Sequence, residues 1–342
     1  MLQAVSKGAG EIACHEVPVP EIRDNQLLLQ IKRIGICGSD MQILHGKHAY
    51  MTFPLVQGHE VSARVAKVGG AVSGFSEGDK VTVEPLVTCG TCRPCRDGHY
   101  NVCENLGVIG VHEDGMATEY YAIDADKVLK LDPKTSYDRG ALVEPTAVAS
   151  AAIRRAGGVE GKKVAVLGAG VIGNLVAQVA KSSGADSVMI TDVQETRLER
   201  ATRCGIDYAA NMVKTDLDTA VAAHFGPEKA DVILDCAGVK TTIEQALSAA
   251  RGGTSIVVVA NFKEAIPLEI QKLQRREVDL VGVMVYRRLD FERAVDLIDS
   301  GKINSDELIT HHFPLCEFEE AFQFIDEHQR EVIKVLLTAN EE

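Results

Sequence analysis

Four cysteines in one short stretch form the strongest local signal for chemistry in this sequence. Cys89, Cys92, Cys95 and Cys103 are separated by two, two and seven residues. Four thiolates at this spacing suit a closed tetrahedral zinc site, which keeps no open position and is therefore structural. An iron–sulfur cluster uses the same ligands, but the spacing matches neither standard ferredoxin run. The stretch predicts a structural zinc, and the alternatives are an iron–sulfur cluster or disulfides.

A second set of residues suggests a metal site earlier in the chain. Cys37 lies in a Gly-Ile-Cys-Gly-Ser-Asp run, and His59 lies in Gly-His-Glu. Thiolate and imidazole are both zinc ligands. The neighbouring carboxylates, Asp40 and Glu60, are able to orient a ligand or to bind the metal directly. Spacing alone does not distinguish this set from unrelated residues, so the prediction depends on the rest of the chain.

A glycine-rich turn at Gly168–Gly173 has the form Gly-Ala-Gly-Val-Ile-Gly. It follows the apolar run Val164–Leu167 and precedes a helix-like stretch, Asn174–Ser182. Strand, glycine turn and helix in this order are the dinucleotide fingerprint, in which a diphosphate lies at the helix N-terminus. Asp192 ends the next apolar run at about the expected distance of ~20 residues. Because an acid there binds ribose hydroxyls and repels a 2′-phosphate, we predict NAD rather than NADP.

The elements that must position these residues fall into two patterns. The central part alternates strands and helices, and short apolar strands without alternation indicate a parallel sheet that is covered on both faces. We therefore predict an α/β fold with a doubly wound sheet. Its predicted strands are residues 164–167, 187–191, 231–235, 255–259 and 278–283, with helices that include 196–204 and 243–250.

The two ends of the chain have a different pattern. Short apolar runs between Pro and Gly residues predict β-strands at 2–5, 12–17, 27–34, 65–68 and 81–83. Towards the C-terminus we predict helices at 290–300 and 318–327 and a strand at 332–337. Lys334 interrupts that last apolar strand. We interpret it as a pyrophosphate contact, with an ordinary solvent-facing lysine as the alternative.

Composition limits the possible partners. The 342 residues carry a net charge of −13, which argues against nucleic acid or an anionic membrane as a partner. No run of 18 apolar residues occurs, and Glu11, His15 and Glu16 lie where a signal peptide would be apolar. We therefore predict a cytoplasmic protein. Its nine cysteines should then be thiols or metal ligands rather than disulfides.

Taken together, these motifs resemble those of the zinc-dependent medium-chain alcohol dehydrogenases over essentially the whole chain. The resemblance is carried by residues 35–40, 58–60, the four cysteines, Glu144-Pro145 and 168–173. Residues 109–115 and 333–337 make it most similar to polyol and sugar-acid dehydrogenases of the sorbitol and L-galactonate type, including the bacterial starvation-sensing members.

The resemblance implies a fold and an activity. It implies a β-rich, chaperonin-10-like (GroES-like) catalytic domain at 1–146 and 285–342, into which an NAD-binding Rossmann domain at 147–284 is inserted. The implied reaction is hydride transfer from a secondary alcohol of a polyol or sugar acid to NAD, in carbohydrate metabolism. Homo-oligomers, dimers or tetramers, are usual in the family.

It also implies roles for individual residues. Cys37, His59 and Glu144 would surround a catalytic zinc, Glu60 would approach or bind it, and Ser39 would receive the substrate proton. Asp40 would hydrogen-bond to a ligand. A second, structural zinc would be bound by the four cysteines, which gives two zinc ions per subunit. The implied cofactor-binding residues are Gly168, Gly170, Val171, Ile172, Gly173, Asp192, Arg197 and Lys334.

Some alternatives stay open. The family often has a histidine where this chain has Gln42, so the proton would leave through His45 or through water. The residues of the substrate pocket decide the substrate class. The alternative substrates within this family are a threonine-type amino alcohol and a simple alcohol. A zinc- and NAD-binding sensory protein without turnover is the alternative of another class. The candidate pocket residues are Tyr50, Phe53, His112, Glu113 and Tyr286.

Overall fold

The computed structural model describes residues 1–47 and 52–341. They form two compact units. The first comprises residues 1–144, 287–300 and 308–342, and the second comprises 145–286 and 301–307. Residues 301–307, which the predicted boundaries assign to the catalytic domain, belong to the second unit. None of the helices in the described ranges is long and apolar enough to cross a membrane.

The first unit is built on a seven-stranded sheet in the order β16-β17-β3-β4-β5-β9, with β8 also paired to β3. All of its pairs are antiparallel except β16–β17. Two-stranded sheets are formed by β1 with β2 and by β6 with β7. The strands are β1 (Leu2–Gly8), β2 (Glu11–Glu16), β3 (Gln26–Gly35), β4 (Glu60–Val68), β5 (Lys80–Val83), β6 (Leu86–Val87), β7 (Gly107–Val108), β8 (Tyr120–Asp124), β9 (Val128–Lys130), β16 (Ile309–Pro314) and β17 (Lys334–Thr338).

Short helices complete this unit around an aliphatic core in which Leu27, Leu29, Ile31 and Val61 are fully buried. Because successive side chains of a strand point to opposite faces, Leu27, Leu29 and Ile31 lie on the same face of the sheet. The helices are α1 (Gly38–Leu44), α2 (Arg93–Arg96), α3 (Tyr137–Ala141), α10 (Arg288–Asp299) and α11 (Phe318–Glu327).

A disulfide in the first unit contradicts one prediction. The expectation that all nine cysteines are thiols or metal ligands is wrong for Cys14 and Cys316, which are bonded to each other across 302 residues of sequence. The pairing arises because the C-terminal segment returns to this unit, where the turn Leu315–Glu317 and helix α11 lie against the β1–β2 hairpin. The other cysteines have free sulfurs.

The second unit is a six-stranded parallel sheet in the order β12-β11-β10-β13-β14-β15. Its strands are β10 (Lys163–Leu167), β11 (Ser187–Asp192), β12 (Tyr208–Asn211), β13 (Val232–Asp235), β14 (Ser255–Val258) and β15 (Asp279–Gly282). The helices are α4 (Val143–Arg155), which begins at the end of the first unit, α5 (Val171–Ser182), α6 (Glu195–Arg203), α7 (Leu217–Phe225), α8 (Lys240–Ala249) and α9 (Ile270–Arg276).

This arrangement confirms the predicted doubly wound sheet. Strand order reverses beside β10, and the turn after β10 leads directly into α5, whose N-cap residue is Gly170. All five predicted strands are present, with ends that differ by at most one residue. Strand β12 was not predicted, because its Tyr-Ala-Ala-Asn segment contains none of the β-branched residues that mark a strand.

Close packing at the glycine turn makes one glycine irreplaceable. A Cβ on Gly173 would lie 1.8 Å from the carbonyl oxygen of Gly168. No side chain can occupy that space, so the turn holds helix α5 against the end of β10 only if residue 173 lacks a Cβ. This is the close helix–strand approach that the third glycine of a dinucleotide fingerprint provides.

Replacing Gly173 with alanine should therefore disturb nucleotide binding. We expect Gly173→Ala to raise the Kd for NADH at least about tenfold, measured by NADH fluorescence, because relieving the clash moves the turn. Overpacking costs typically about 1–3 kcal/mol, so Tm should also fall by a few degrees. Gly282→Ala is the matched control, since a Cβ there meets no atom within 4 Å. An unchanged Kd for Gly173→Ala would contradict the assignment.

Candidate functional site

The first turn of helix α1 is fixed by the residues around Cys37. Cys37 is the N-cap residue, and its backbone N–H donates to Oδ2 of Asp40 at 2.8 Å. An acid at the third helical position that receives the N-cap N–H is half of a capping box and also complements the helix dipole. Asp40 is only 1% exposed. The local sequence thus starts a helix at Cys37 and fixes the backbone conformation of this residue, which orients its side chain.

Three predicted metal ligands meet in this unit. Ligand atoms of Cys37, His59 and Glu60 all lie within 4.8 Å of one another, and the histidine and glutamate are buried. Sulfur, nitrogen and carboxylate oxygen are the donor types that zinc prefers. Three protein donors leave a fourth position open, which is the arrangement of a catalytic rather than a structural zinc. The residues therefore fit a catalytic metal.

The electrostatics of this cluster favour an added positive charge. Burial on its own lowers the pKa of His59, but Asp40, Cys37 and Glu144 together raise it well above its usual value. Burial raises the pKa of the Asp40 carboxyl, although His59 opposes that shift. Oδ1 of Asp40 lies 3.7 Å from Nδ1 of His59, and within the described part of the chain neither atom has a hydrogen-bond partner. The carboxylate is therefore placed to orient the imidazole, as carboxylates commonly do for a metal-bound histidine.

Lys334 lies in the interior of the first unit, in contact with Glu60. Its Nζ lies 2.6 Å from Oε2 of Glu60 and donates to the carbonyl oxygen of Ile36 at 2.9 Å. The Lys334 side chain is 4% exposed. The solvent-facing alternative is therefore wrong, because the ammonium is buried in the first unit beside the carboxylate. The pyrophosphate contact stays a prediction. A single lysine inside an apolar strand was the signal that pointed to a buried partner.

Gln57 is a further residue that the sequence did not single out. It is fully buried, accepts a hydrogen bond from the Ser6 hydroxyl at 2.8 Å, and donates from Nε2 to the carbonyl oxygen of Asp40 at 3.1 Å. It lies two residues before His59. Gln57 therefore links β1 to the first turn of α1 and holds together the segments that carry Cys37 and His59.

Three other predicted residues lie around the cluster. Glu144 is buried in the first turn of α4 and is not among the three clustered donors, although its charge raises the pKa values of His59 and Lys334. Ser39 is half-buried in the first turn of α1. His45, the suggested proton exit, is the C-cap of α1, and its Nε2 lies 2.7 Å from Oδ2 of Asp326.

The candidate pocket residues have different environments. Tyr50 lies outside the described residues. Phe53 packs on the buried Ile43, Leu55 and Val111. His112 is exposed, and its Nδ1 accepts a hydrogen bond from the Val108 N–H at 3.1 Å. Glu113 is also exposed, and Tyr286 of the second unit is fully buried.

The four-cysteine stretch has the dimensions of a zinc site. The sulfurs of Cys89, Cys92, Cys95 and Cys103 all lie within 4.8 Å of one another. Sγ of Cys103 is 3.5 Å from Sγ of Cys89 and 3.8 Å from Sγ of Cys92. Tetrahedral Zn–S bonds of about 2.3 Å place sulfurs roughly 3.8 Å apart, so the four residues fit the ion.

Backbone donors favour a thiolate in this cluster. Hydrogen bonds from the N–H groups of Cys92 and Thr91 help lower the pKa of Cys89 to about 5, whereas burial and neighbouring thiols raise that of Cys95 to about 12. A divalent cation is what allows four adjacent sulfurs to be deprotonated together. The chemistry of the donor set therefore agrees with the distances.

The predicted ribose-binding acid lies at the end of β11 in the second unit. Asp192 is 9% exposed, and its two oxygens accept hydrogen bonds from the N–H groups of Ala169 and Gln194 at 2.8 and 2.9 Å. Arg197 Nη1 lies 3.8 Å from the same carboxylate. Asp192 therefore fixes the glycine turn directly and keeps a negative charge beside it.

A second turn at the same sheet edge is ordered by Asp235. Its Oδ1 accepts from the N–H groups of Ala237 and Gly238 at 3.0 and 3.1 Å, and its Oδ2 accepts from the Thr242 hydroxyl at 2.9 Å. Because parallel sheets bind ligands at the carboxyl ends of their strands, both ordered turns lie where a nucleotide would bind.

Comparison with known proteins decides the family. Residues 23–133 match the model described as an alcohol dehydrogenase GroES-like domain, and residues 171–300 match the one described as a zinc-binding dehydrogenase. The L-galactonate-5-dehydrogenase of Escherichia coli (strain K12) is 32% identical over 94% of each chain. The chain belongs to the zinc-dependent medium-chain alcohol dehydrogenases. The predicted family, enzyme class and combination of GroES-like and Rossmann domains are thereby confirmed.

Further relatives of this dehydrogenase include a polyol dehydrogenase and two solved structures with a bound nicotinamide cofactor. The sorbitol dehydrogenase of Bacillus subtilis (strain 168) is 30% identical over 99% of this chain and 98% of its own. An alcohol dehydrogenase from Escherichia coli CFT073, solved with NADH, has a TM-score of 0.91 and 30% identity over 99% of both chains. A zinc-binding dehydrogenase from Sinorhizobium meliloti 1021, solved with NADP, has a TM-score of 0.91 and 29% identity over 98% of both chains.

Proposed function

We propose that this dehydrogenase oxidises a secondary alcohol of a polyol or sugar acid of the L-galactonate type to a ketone, with NAD as hydride acceptor. The observation that carries the proposal is the buried set of three donors, Cys37, His59 and Glu60, which leaves one metal position open to an alcohol oxygen. The relatives with the same organisation include a sugar-acid and a polyol dehydrogenase.

The roles of the residues follow from their positions. When bound, zinc supplies a Lewis acid for an alcohol oxygen, and the nicotinamide supplies the hydride acceptor. Cys37, His59 and Glu60 would hold the metal, and Asp40 would keep the imidazole oriented. Ser39 Oγ, in the first turn of α1, would accept the alcohol proton and pass it on. Since the His45 ring faces Asp326, we expect water rather than His45 to carry the proton out.

The Asp192 carboxylate supports NAD over NADP. Its charge lies beside the glycine turn, where the 2′-phosphate of NADP would meet it, whereas the two ribose hydroxyls of NAD can donate to it. The structural zinc would be bound by the four cysteines. We also propose a homo-oligomer, a dimer or a tetramer, which size-exclusion chromatography with light scattering of the purified protein would test. A cytoplasmic location is proposed as well, and fractionation of cells would test it.

The experiment that tests the function is NADH formation, followed by absorbance, on a panel of polyols, hexonic acids, L-threonine and simple alcohols, with NAD and NADP side by side. Turnover of a polyol or sugar acid with NAD is the expected result. Turnover of only L-threonine or a simple alcohol would overturn the substrate class. No turnover at all, by protein that carries two zinc ions and binds NADH, would favour a sensory protein.

Neutralising Asp192 should reduce the preference for NAD. We expect Asp192→Asn to lower the ratio of kcat/KM for NAD to that for NADP at least about tenfold. An amide no longer repels a 2′-phosphate, yet its oxygen still accepts one backbone hydrogen bond, so the turn is retained. Steady-state kinetics with both cofactors measure the ratio. Glu199→Gln, on the exposed face of α6, removes the same charge and should leave the ratio unchanged.

A further inference from the structure

The Cys14–Cys316 disulfide lies at the surface of the first unit, where one of its two residues is exposed to solvent. Cys316 is exposed, and Cys14 in β2 is half-buried. Two core residues close in sequence hold the backbone of Cys316 in place, because Leu315 is 3% and Phe318 is 2% exposed. A dissolved thiolate can therefore reach Cys316, and access of this kind is one condition for thiol–disulfide exchange.

The segments that the disulfide joins also hold the C-terminal end of helix α1. The turn between β1 and β2 contributes the N–H of Gly10, which donates to the carbonyl oxygen of Leu44 at 2.7 Å. Helix α11 contributes Asp326, whose Oδ2 lies 2.7 Å from Nε2 of His45, the C-cap residue of α1. The last carbonyls of a helix have no partner within the helix, so such contacts fix where its end lies. By connecting the hairpin to the turn from which α11 begins, the disulfide closes a frame around the end of α1.

Helix α1 depends on this frame because it is too short to be stable by itself. It spans seven residues, and isolated helices shorter than about 12–15 residues are marginal in water. Its N-cap is Cys37 and its first turn includes Ser39, so the helix carries a proposed metal ligand and the proposed proton acceptor. Loosening of its C-terminal end would therefore disturb both groups.

The span of the disulfide makes its opening consequential for stability. It closes a loop across 302 residues of sequence, which is most of the chain. A crosslink that closes a long loop removes more freedom from the unfolded chain than one that closes a short loop. Opening the bond should therefore lower the stability of the folded protein and remove the covalent link between the hairpin and α11.

The proposed location indicates that the bond is reversible. Thiols are kept reduced in the cytosol, and the disulfides that form there are usually redox-sensing or catalytic. Neither Cys14 nor Cys316 belongs to the two clusters of candidate metal ligands in the described part of the chain. The pair can therefore exchange with a thiol reagent without removing a ligand from either metal.

We propose that Cys14 and Cys316 form a reversible redox site, whose disulfide keeps helix α1 ordered and whose reduction by a dithiol loosens that helix and slows turnover. The inference rests on the proposed function, since it takes Cys37 and Ser39 to act in catalysis, and on the proposed cytoplasmic location.

The exchange transfers two electrons from the dithiol to the protein. A thiolate of the dithiol attacks Sγ of Cys316, the bond between the two protein sulfurs breaks, and Cys14 leaves as a thiolate that takes up a proton. The second thiol of the reagent then displaces Cys316, which becomes a thiol, and the reagent becomes a cyclic disulfide. The same steps in reverse, with the oxidised reagent as oxidant, close the protein disulfide again.

The test titrates the full-length, zinc-loaded protein with mixtures of reduced and oxidised dithiothreitol. Alkylation with peptide mass analysis reports the state of Cys14 and Cys316, and hydrogen exchange reports the order of α1. We expect both thiols to appear together in one reversible transition. In the reduced protein, amide exchange in α1 should be at least about tenfold faster. Tm should be roughly 5 °C lower, and kcat should be at least about threefold lower.

Two variants provide the controls. Cys14→Ser cannot form the bond and should resemble the reduced wild type in every mixture. Treated with the same reagent, it also separates the effect of the disulfide from any effect of dithiothreitol on bound zinc. If Cys14→Ser does not fold, Cys316→Ser replaces it. Cys204→Ser removes a thiol outside the disulfide and should titrate as the wild type does.

Two results would overturn the inference. One is a disulfide that stays intact in excess reductant while the protein is folded, which would make the bond a permanent crosslink. The other is a reduced protein whose amide exchange in α1, or whose kcat, equals that of the oxidised protein. Failure of the proposed function is distinguishable, because alkylation and hydrogen exchange need no turnover. The redox transition and the loosening of α1 would then appear in a protein that oxidises no polyol or sugar acid.

Discussion

Cys37→Ser is expected to lower kcat/KM by at least about 10³-fold and to reduce the zinc content from two ions per chain to one. The sulfur of Cys37 is one of three donors that lie within 4.8 Å of one another. A serine hydroxyl is not ionised near neutral pH and is a poor replacement for a thiolate. A bound Lewis acid contributes several kcal/mol to stabilising charge on the substrate oxygen, and each 1.36 kcal/mol corresponds to about tenfold in rate.

The fold should survive this substitution. Cys37 caps α1 through its backbone N–H, which donates to Asp40, and a serine keeps that hydrogen bond. We therefore expect an unchanged circular dichroism spectrum and little change in Tm. Cys204→Ser is the matched control, because this half-buried thiol belongs to neither cysteine cluster and should leave both zinc content and kcat unchanged. A Cys37→Ser protein with two zinc ions and near-full activity would refute the assignment of the catalytic site.

Much of the fold is readable from the sequence, because buried parallel strands appear as uninterrupted apolar runs. Strands β10, β11, β13 and β14 were predicted to within one residue at each end for this reason. Short elements that depend on tertiary contacts were not predictable in the same way. Helix α1 spans only seven residues and begins with Gly-Ser-Asp, and its start is fixed by the Asp40 hydrogen bond rather than by any helical period.

In the candidate site, too, contacts between residues close in sequence were predictable, whereas contacts between distant residues were not. Cysteine spacing within one loop predicted the four-sulfur cluster, since ligands close in sequence are close in space. The Lys334–Glu60 pair joins residues 274 positions apart, and the contact exists only because β17 and β4 flank the same strand, β3. The Cys14–Cys316 disulfide was missed for the same reason. Strand order and register are tertiary facts that the pattern of one strand does not contain.

Substitution in the four-cysteine cluster should lower stability and leave catalysis largely intact, which is the reverse of the result expected for Cys37→Ser. Cys103→Ser is expected to lower Tm by roughly 5–10 °C and to remove one zinc ion, while the remaining protein keeps much of its kcat. Residues 89–103, which carry the four cysteines, form a lobe with little core of its own, because none of the four residues of helix α2 is buried. Its attachments to helix α10 are polar, through Tyr100 with Arg288 and Asn101 with Arg287.

Metal binding is therefore the main source of order in the lobe, as it is in small zinc domains. Differential scanning calorimetry, zinc analysis and limited proteolysis at 89–103 measure the effect, and cleavage should concentrate within the lobe. Asn105→Ser, just beyond the last ligand, is a control that leaves all four sulfurs in place. Each cysteine substitution removes one zinc, but Cys37→Ser should abolish catalysis at constant stability, whereas Cys103→Ser should lower stability while catalysis persists. If both variants lost activity and stability together, the division into one catalytic and one structural metal would be wrong.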